Sequence, residues 1–237
     1  MGNTNSSSNN IDNNGKLIST IEQIKSNSIT TINLGDNSIG DAGCSSLAKA
    51  LETNTTVTVI DLGGNSIGAK GCTSLAKALE TNTTVTTIIL RDNSIGDAGC
   101  SSLAKALETN ATVTTIDLSY NDIGIKACSS LAKALETNAS VTDIDLSYNT
   151  IQDAGCSSLA MALKTNATIT TINLDRNGIG ISEAGCSSLA KALETNTTVT
   201  TIDLSLNPIG AEGWKQIVAA IKKQVGKHFY QTYIKTL

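Results

Sequence analysis

The chain has 237 residues, 40% hydrophobic, 16% charged and 3% aromatic, with one His and a formal net charge of −4. That is enough apolar chain to bury a core, and it argues against wholesale disorder. The negative charge speaks against a nucleic-acid binder that works by neutralising phosphates, no apolar run approaches a membrane span, and one His with no ordered acid/base signature speaks against a conventional enzyme.

The first fifteen residues are rich in Asn and Ser and read as a flexible tail (1–15) with no secretory signal. Met1-Gly2-Asn3-Thr4-Asn5-Ser6 matches the M-G-x-x-x-[ST] pattern for N-myristoylation at Gly2. One myristate gives marginal membrane attachment, and the tail has no basic patch to reinforce it. Leu17, Ile21 and Ile24 then recur at helical spacing, predicting a helical cap over 16–28 that shields the first repeat.

From there the chain repeats. Asn37, Asn65, Asn93, Asn121, Asn149 and Asn177 are each 28 residues apart, and Asn207 follows after 30 because Ile181 and Ser182 are added. Cys44, Cys72, Cys100, Cys128, Cys156 and Cys186 keep the same rhythm. Such a period marks a solenoid. Within each unit a Val/Ile/Thr-rich stretch such as Val57, Ile60, Leu62 predicts a short strand, and Cys72, Leu75, Ala76, Leu79 predict a helix. Asn82 after the helix is expected to take a left-handed terminal conformation. Gly40, Gly68, Gly96 and Gly124 are expected to supply tight turns before the helices. One strand and one helix bury their apolar faces only by stacking on neighbours. The repeats occupy 29–214. At their end Trp214 takes the Cys position, and beyond it Ile217, Val218, Ile221, Val225 and Phe229 predict a terminal helical cap (215–237) with Lys222, Lys223, Lys227 and His228 on its surface.

Val57, Ile60, Leu62, Asn65, Ile67, Gly68, Gly71, Leu75, Ala76, Ala78 and Leu79 follow the pattern LxxLxLxxN-x-IGxxGxxxLAxAL. In this the chain resembles leucine-rich repeat proteins of the ribonuclease-inhibitor type from about Ile29 to Ala220. The resemblance implies an α/β fold, a right-handed solenoid forming a horseshoe segment, with a parallel sheet on the concave face and helices on the convex face. It does not imply ribonuclease inhibition, because recognition surfaces vary on a shared fold.

The cysteines fall once per repeat among Leu and Ala, so they are expected to be buried free thiols, which suits a reducing compartment. No Cys/His constellation points to a metal, and no cofactor is expected. Asn54, Asn82, Asn110, Asn138, Asn166 and Asn196 each head an N-x-[ST] sequon, as does Asn5, but six of these are the repeated helix-ending Asn and are expected to be structural. Cytoplasmic localisation is expected, or host cytosol for a secreted microbial effector.

Strand alternation brings one column to the concave face: Asn33, Asp61, Ile89, Asp117, Asp145, Asn173, Asp203. A column after the strand is read as Asp36, Asp92, Tyr120, Tyr148, Asp175 and Leu206, punctuated by Arg91 and Arg176. Carboxylates in register about 4.8 Å apart repel, and a basic protein or peptide relieves that repulsion while the tyrosines add contact area. The expected function is therefore a monomeric, non-catalytic interaction scaffold binding a partner with a basic surface. The binding candidates are Asp61, Arg91, Asp92, Asp117, Tyr120, Asp145, Tyr148, Asp175, Arg176 and Asp203, centred on the fourth to sixth strands. The alternatives are a small-GTPase regulator using Arg91 or Arg176, and a microbial effector or immune-type recognition module.

Overall fold

The computed structural model describes residues 5–180 and 182–224, with side chains from 14 to 223 apart from 181. Gly2, Val225, Lys227, His228 and Phe229 lie outside them. The elements are α1 (Asn5–Lys25), β1 (Thr31–Asn33), α2 (Gly40–Leu51), β2 (Val59–Asp61), α3 (Ala69–Leu79), β3 (Thr87–Ile89), α4 (Gly96–Leu107), β4 (Thr115–Asp117), α5 (Ile125–Leu135), β5 (Asp143–Asp145), α6 (Gln152–Leu163), β6 (Thr171–Asn173), α7 (Ala184–Leu193), β7 (Thr201–Asp203) and α8 (Ala211–Gln224).

The seven strands form one parallel sheet in sequence order, and register is set by the repeat, Ile60 facing Ile88 and Ile88 facing Ile116. Each of β2 to β5 buries its central Ile and leaves the residues on either side half-buried. The buried Ile and Leu of the strands meet the Cys, Leu and Ala of the helices in one continuous core. Each fully buried Leu or Ile stabilises the stack by about 1.5–3 kcal/mol.

Polar groups between strand and helix are satisfied across repeats. Asn93 Nδ2 donates to the carbonyls of Leu62, Leu90 and Arg91 at 3.0, 2.9 and 3.1 Å. Its Oδ1 accepts the N–H groups of Asn65 and Ile67 at 3.1 and 2.8 Å. A second Asn ladder closes the other end of the unit. Asn82 Nδ2 donates to the Leu51 and Asn54 carbonyls, and its Oδ1 accepts the N–H groups of Thr84 and Val85. Asn82 is absent from the positive-φ residues, so its value lies in these bonds rather than in the expected left-handed backbone.

Two further expectations are corrected. Gly40 and Gly96 have φ of +59° and +58°, but Gly68 and Gly124 have φ of −97° and −108° and stand as extended N-caps. The turn before the helix therefore alternates through the first four units, whereas Gln152 and Gly180 of the next two both have positive φ. At the N-terminal end, α1 begins at Asn5, inside the stretch read as a tail. Asn and Ser are weak helix formers but not breakers, and propagating a helix adds one hydrogen bond per residue fixed. Toward its end Ile24 is buried, and Leu17 and Ile21 pack against the core. At the other end Ile217 and Ala220 are buried, with Trp214 and Ile221 packed against them.

Candidate protein-binding face

The column Asp61, Asp117, Asp145, Asn173, Asp203 stands on the third strand residue, half-buried beside the buried Ile. Each side chain turns the chain at the end of its own strand. Asp61, Asp117, Asp145 and Asp203 Oδ1 accept the N–H groups of Gly63, Ser119, Ser147 and Ser205 at 3.1, 3.0, 2.8 and 2.8 Å, and Asn173 Oδ1 does the same for Asp175 at 3.0 Å. This is why a poor strand former recurs here. Repulsion along the column is also broken where Asn173 Nδ2 donates to Asp145 Oδ2 at 2.9 Å.

Asp143, which the sequence reading missed, occupies the first strand residue and faces the same side. Its signal was its place two residues before Asp145, since alternation returns both to one face. Thr142 Oγ1 donates to it at 2.6 Å. Asp117, Asp143, Asp145, Asn173 and Asp203 line a hollow of about 290 Å³ floored by the strand isoleucines. Asp61 lies outside this lining.

The rim beyond the strands is built from turns that repeat one conformation. Asp36, Gly64, Asp92, Tyr120, Tyr148, Arg176 and Leu206 all have positive φ, between 51° and 65°. This corrects the register of the column: Arg176, one residue before Asn177, stands in line with the tyrosines. Asp175 belongs one residue earlier, in line with Arg91, Ser119, Ser147 and Ser205. Arg91 leans toward the preceding unit, where its Cγ lies 3.0 Å from the position a Cβ on Gly63 would take.

Register lets the side chains stack. The Tyr120 and Tyr148 rings lie 3.9 Å apart, centroid to centroid, 16° from parallel. The Arg176 guanidinium sits 4.7 Å from the Tyr148 centroid on the next rung. Hydrogen bonding to Tyr148, with some desolvation, pushes the Tyr120 phenol up to about 12. Tyr120 and Leu206 are both exposed, at 48% and 55%, in a chain with few aromatics. Burial, and then the Asp203 charge, push the Asp175 carboxyl up, and its Oδ1 is buried without a hydrogen-bond partner.

Elsewhere the chemistry is structural. All six cysteines are buried and free, and Cys44 and Cys72 Sγ each donate to a Gly carbonyl of the following unit at 3.4 Å. The six repeated sequon asparagines are buried, so a glycan on any of them is incompatible with the fold. Among the described residues no group of His, Cys, Asp or Glu is arranged to hold a metal, and no helix is long and apolar enough to cross a membrane.

The family model described as Leucine Rich repeat matches residues 25–48, 53–76, 81–104, 109–132, 137–160 and 195–217, more than half of the chain. The chain belongs to the leucine-rich repeat family. The unmatched interval between 160 and 195 holds the repeat carrying the two added residues, which still contributes β6 and α7 to the stack. A search of curated proteins returns no match. Among solved structures, this leucine-rich repeat chain is similar to leiomodin-1 actin-binding site 2, with a TM-score of 0.51 and 16% identity over 88% of this chain and 89% of that one. It is also similar to a tropomodulin C-terminal domain from Caenorhabditis elegans, with a TM-score of 0.45 and 10% identity over 89% and 93%.

Proposed function

We propose that the protein is a cytoplasmic, non-catalytic scaffold of the ribonuclease-inhibitor repeat type that binds a basic protein or peptide on its acidic concave face. The observation that carries this reading is the Tyr120–Tyr148–Arg176 ladder, which places exposed aromatic surface beside the hollow lined by Asp117, Asp143, Asp145 and Asp203. Asp117 and Asp203, which hold their turns through Oδ1, present a second oxygen that draws in a basic partner, and stacked tyrosines add amphipathic contact area at low conformational cost. Buried free thiols suit a reducing compartment. A myristate on Gly2 adds a weak membrane tether to the same scaffold, and the intact mass of protein made in eukaryotic cells reads it directly. The GTPase-regulator reading gains no support from Arg176, which is stacked on Tyr148, or from Arg91, which leans along Gly63.

The test is the variant D117N/D145N/Y148A. Asn173 already makes the Asp-type turn, so Asn at 117 and 145 keeps the fold while removing charge. Basic partners recovered by the wild type, in a salt-sensitive manner, are expected to be lost by the variant at unchanged thermal stability. Equal recovery of every partner by both proteins refutes the concave-face placement.

A further inference from the structure

The ladder has one covered end and one open end. Arg176 caps the outer face of Tyr148, and Tyr148 covers one face of Tyr120. The other face of Tyr120 looks toward the rung of Asp92. Backbone geometry places that rung in the same series: Asp92, Tyr120, Tyr148 and Arg176 have φ of 54°, 54°, 55° and 51°. The turns are joined alike, Asp92 N donating to Ser119 O at 2.9 Å, Tyr120 N to Ser147 O at 3.1 Å and Tyr148 N to Asp175 O at 2.9 Å. Asp92 is in register with the rings but too short to cover one, which accounts for the 48% exposure of Tyr120. The nearby cation of this chain, Arg91, lies along Gly63 instead.

We propose that the open face of Tyr120, beside Asp92, is the subsite that takes an arginine side chain of the partner. This rests on the concave-face reading and names the group recognised there. A guanidinium stacks on an aromatic face more readily than an ammonium, and its edge can pair with a carboxylate while its plane rests on the ring. The incoming guanidinium mirrors Arg176, so that two cations bracket two rings. Asp92 neutralises the incoming charge at the rim.

The probe is a fluorescent hepta-arginine peptide titrated against the full chain at low ionic strength, with hepta-lysine as the comparison. Y120L is the decisive variant, because Leu206 already occupies the equivalent left-handed turn and shows that the fold accepts Leu there. Y120L is expected to weaken hepta-arginine binding about three- to thirtyfold, and D92N several-fold, while Y120F keeps the ring face and binds like the wild type. Hepta-lysine is expected to bind more weakly and to lose less on Y120L. Wild-type affinity in Y120L, with binding still weakened by D117N/D145N, overturns the subsite and leaves the concave-face reading standing. No hepta-arginine binding, or binding indifferent to every variant, overturns both.

Discussion

Asp97 Oδ1 accepts the N–H of Gly124 at 2.8 Å and that of Ala127 at 3.3 Å, so the first turn of α5 is capped from the preceding repeat. Gly124 itself offers no side-chain cap. Asp41 does the same for Gly68 and Gly71 of the next unit, both at 2.8 Å. The caps therefore recur every second repeat, at positions 41, 97 and 153. D97A is expected to lower stability by about 1 kcal/mol, the usual cost of a lost cap, and D97N by less because an acceptor remains. Urea unfolding measures both, and equal losses in the two variants would show that charge rather than the acceptor matters.

This two-unit alternation was written in the sequence as Gly40-Asp41-Ala42-Gly43 against Gly68-Ala69-Lys70-Gly71. The strand, the helix and the Asn column are legible from a single unit, because they depend on local periodicity. The role of Asp41 is not, because that side chain acts on the following unit. The role of Asn82 is hidden for the same reason: its partners Leu51 and Asn54 lie a repeat away. Asp175 stands one residue from the column its acidity suggests, because distance from Asn177, not charge, sets the rung. The stacked rings were not legible at all, since 3.9 Å follows from a left-handed turn at Tyr120 and Tyr148 that non-glycine residues seldom adopt.

Asp153 gives the acid side of the stability profile. Burial pushes its pKa up, but the Ser182 hydroxyl and the N–H groups of Gly180, Ser182 and Gly185 outweigh this and hold it below the ordinary 3.8. A carboxyl with a lowered folded pKa contributes stability above its unfolded value and loses it as pH falls through the folded one. D153N is therefore expected to be less stable than wild type at neutral pH, with the gap closing below about pH 4. A constant gap from neutral pH into acid, by thermal unfolding, would contradict this account.

Asn93 makes five side-chain hydrogen bonds where Asp97 makes two. N93A strips five hydrogen bonds and leaves the N–H groups of Asn65 and Ile67 unpaired, while the Leu62, Leu90 and Arg91 carbonyls keep the Asn65 and Asn121 side chains and the Gly64 N–H as donors. The expected loss is about 2–4 kcal/mol, greater than for D97A, because the two abandoned N–H groups sit beside the core, out of reach of water. N93D is expected to be no better, since its second oxygen meets three carbonyls where a donor is needed. Denaturant midpoints of the two variants decide the point.

Asp175 is a site where the fold is not at its most stable. Burial and the neighbouring Asp203 and Asp145 charges raise its pKa, against the opposing pull of Arg176. A raised folded pKa favours the folded state at low pH and loses that advantage as the carboxyl ionises. Equivalent positions carry Ser119, Ser147 and Ser205, so D175S restores the local pattern. It is expected to stabilise the domain by about 0.5–1 kcal/mol at neutral pH, a figure kept small because the half-buried group is still partly screened by solvent. A lower melting temperature for D175S would show that Asp175 instead anchors Arg176.

The cysteine column sets the alkaline limit. Burial, reinforced by Asp41 and Asp97 respectively, pushes the thiols of Cys44 and Cys100 from 9.0 up to about 12. Burial with the Cys186 and Asp153 charges does the same for Cys156. Burial, with the Asp153 and Glu183 charges, raises Cys186 to about 11. In the unfolded chain these thiols ionise near 9.0. For a raised folded pKa the stabilisation is complete below the unfolded value and is lost as pH rises through the folded one. Stability is therefore expected to hold up to about pH 9 and then fall steeply, with several thiols contributing together. Thiolate absorbance should appear with the loss of helix signal and not before it. A C100A/C156A variant is expected to start less stable, through two small cavities, yet to lose stability more gradually between pH 9 and 11. If thiolate forms while the helices persist, or if the variant falls as steeply as the wild type, burial of this column does not govern the alkaline transition.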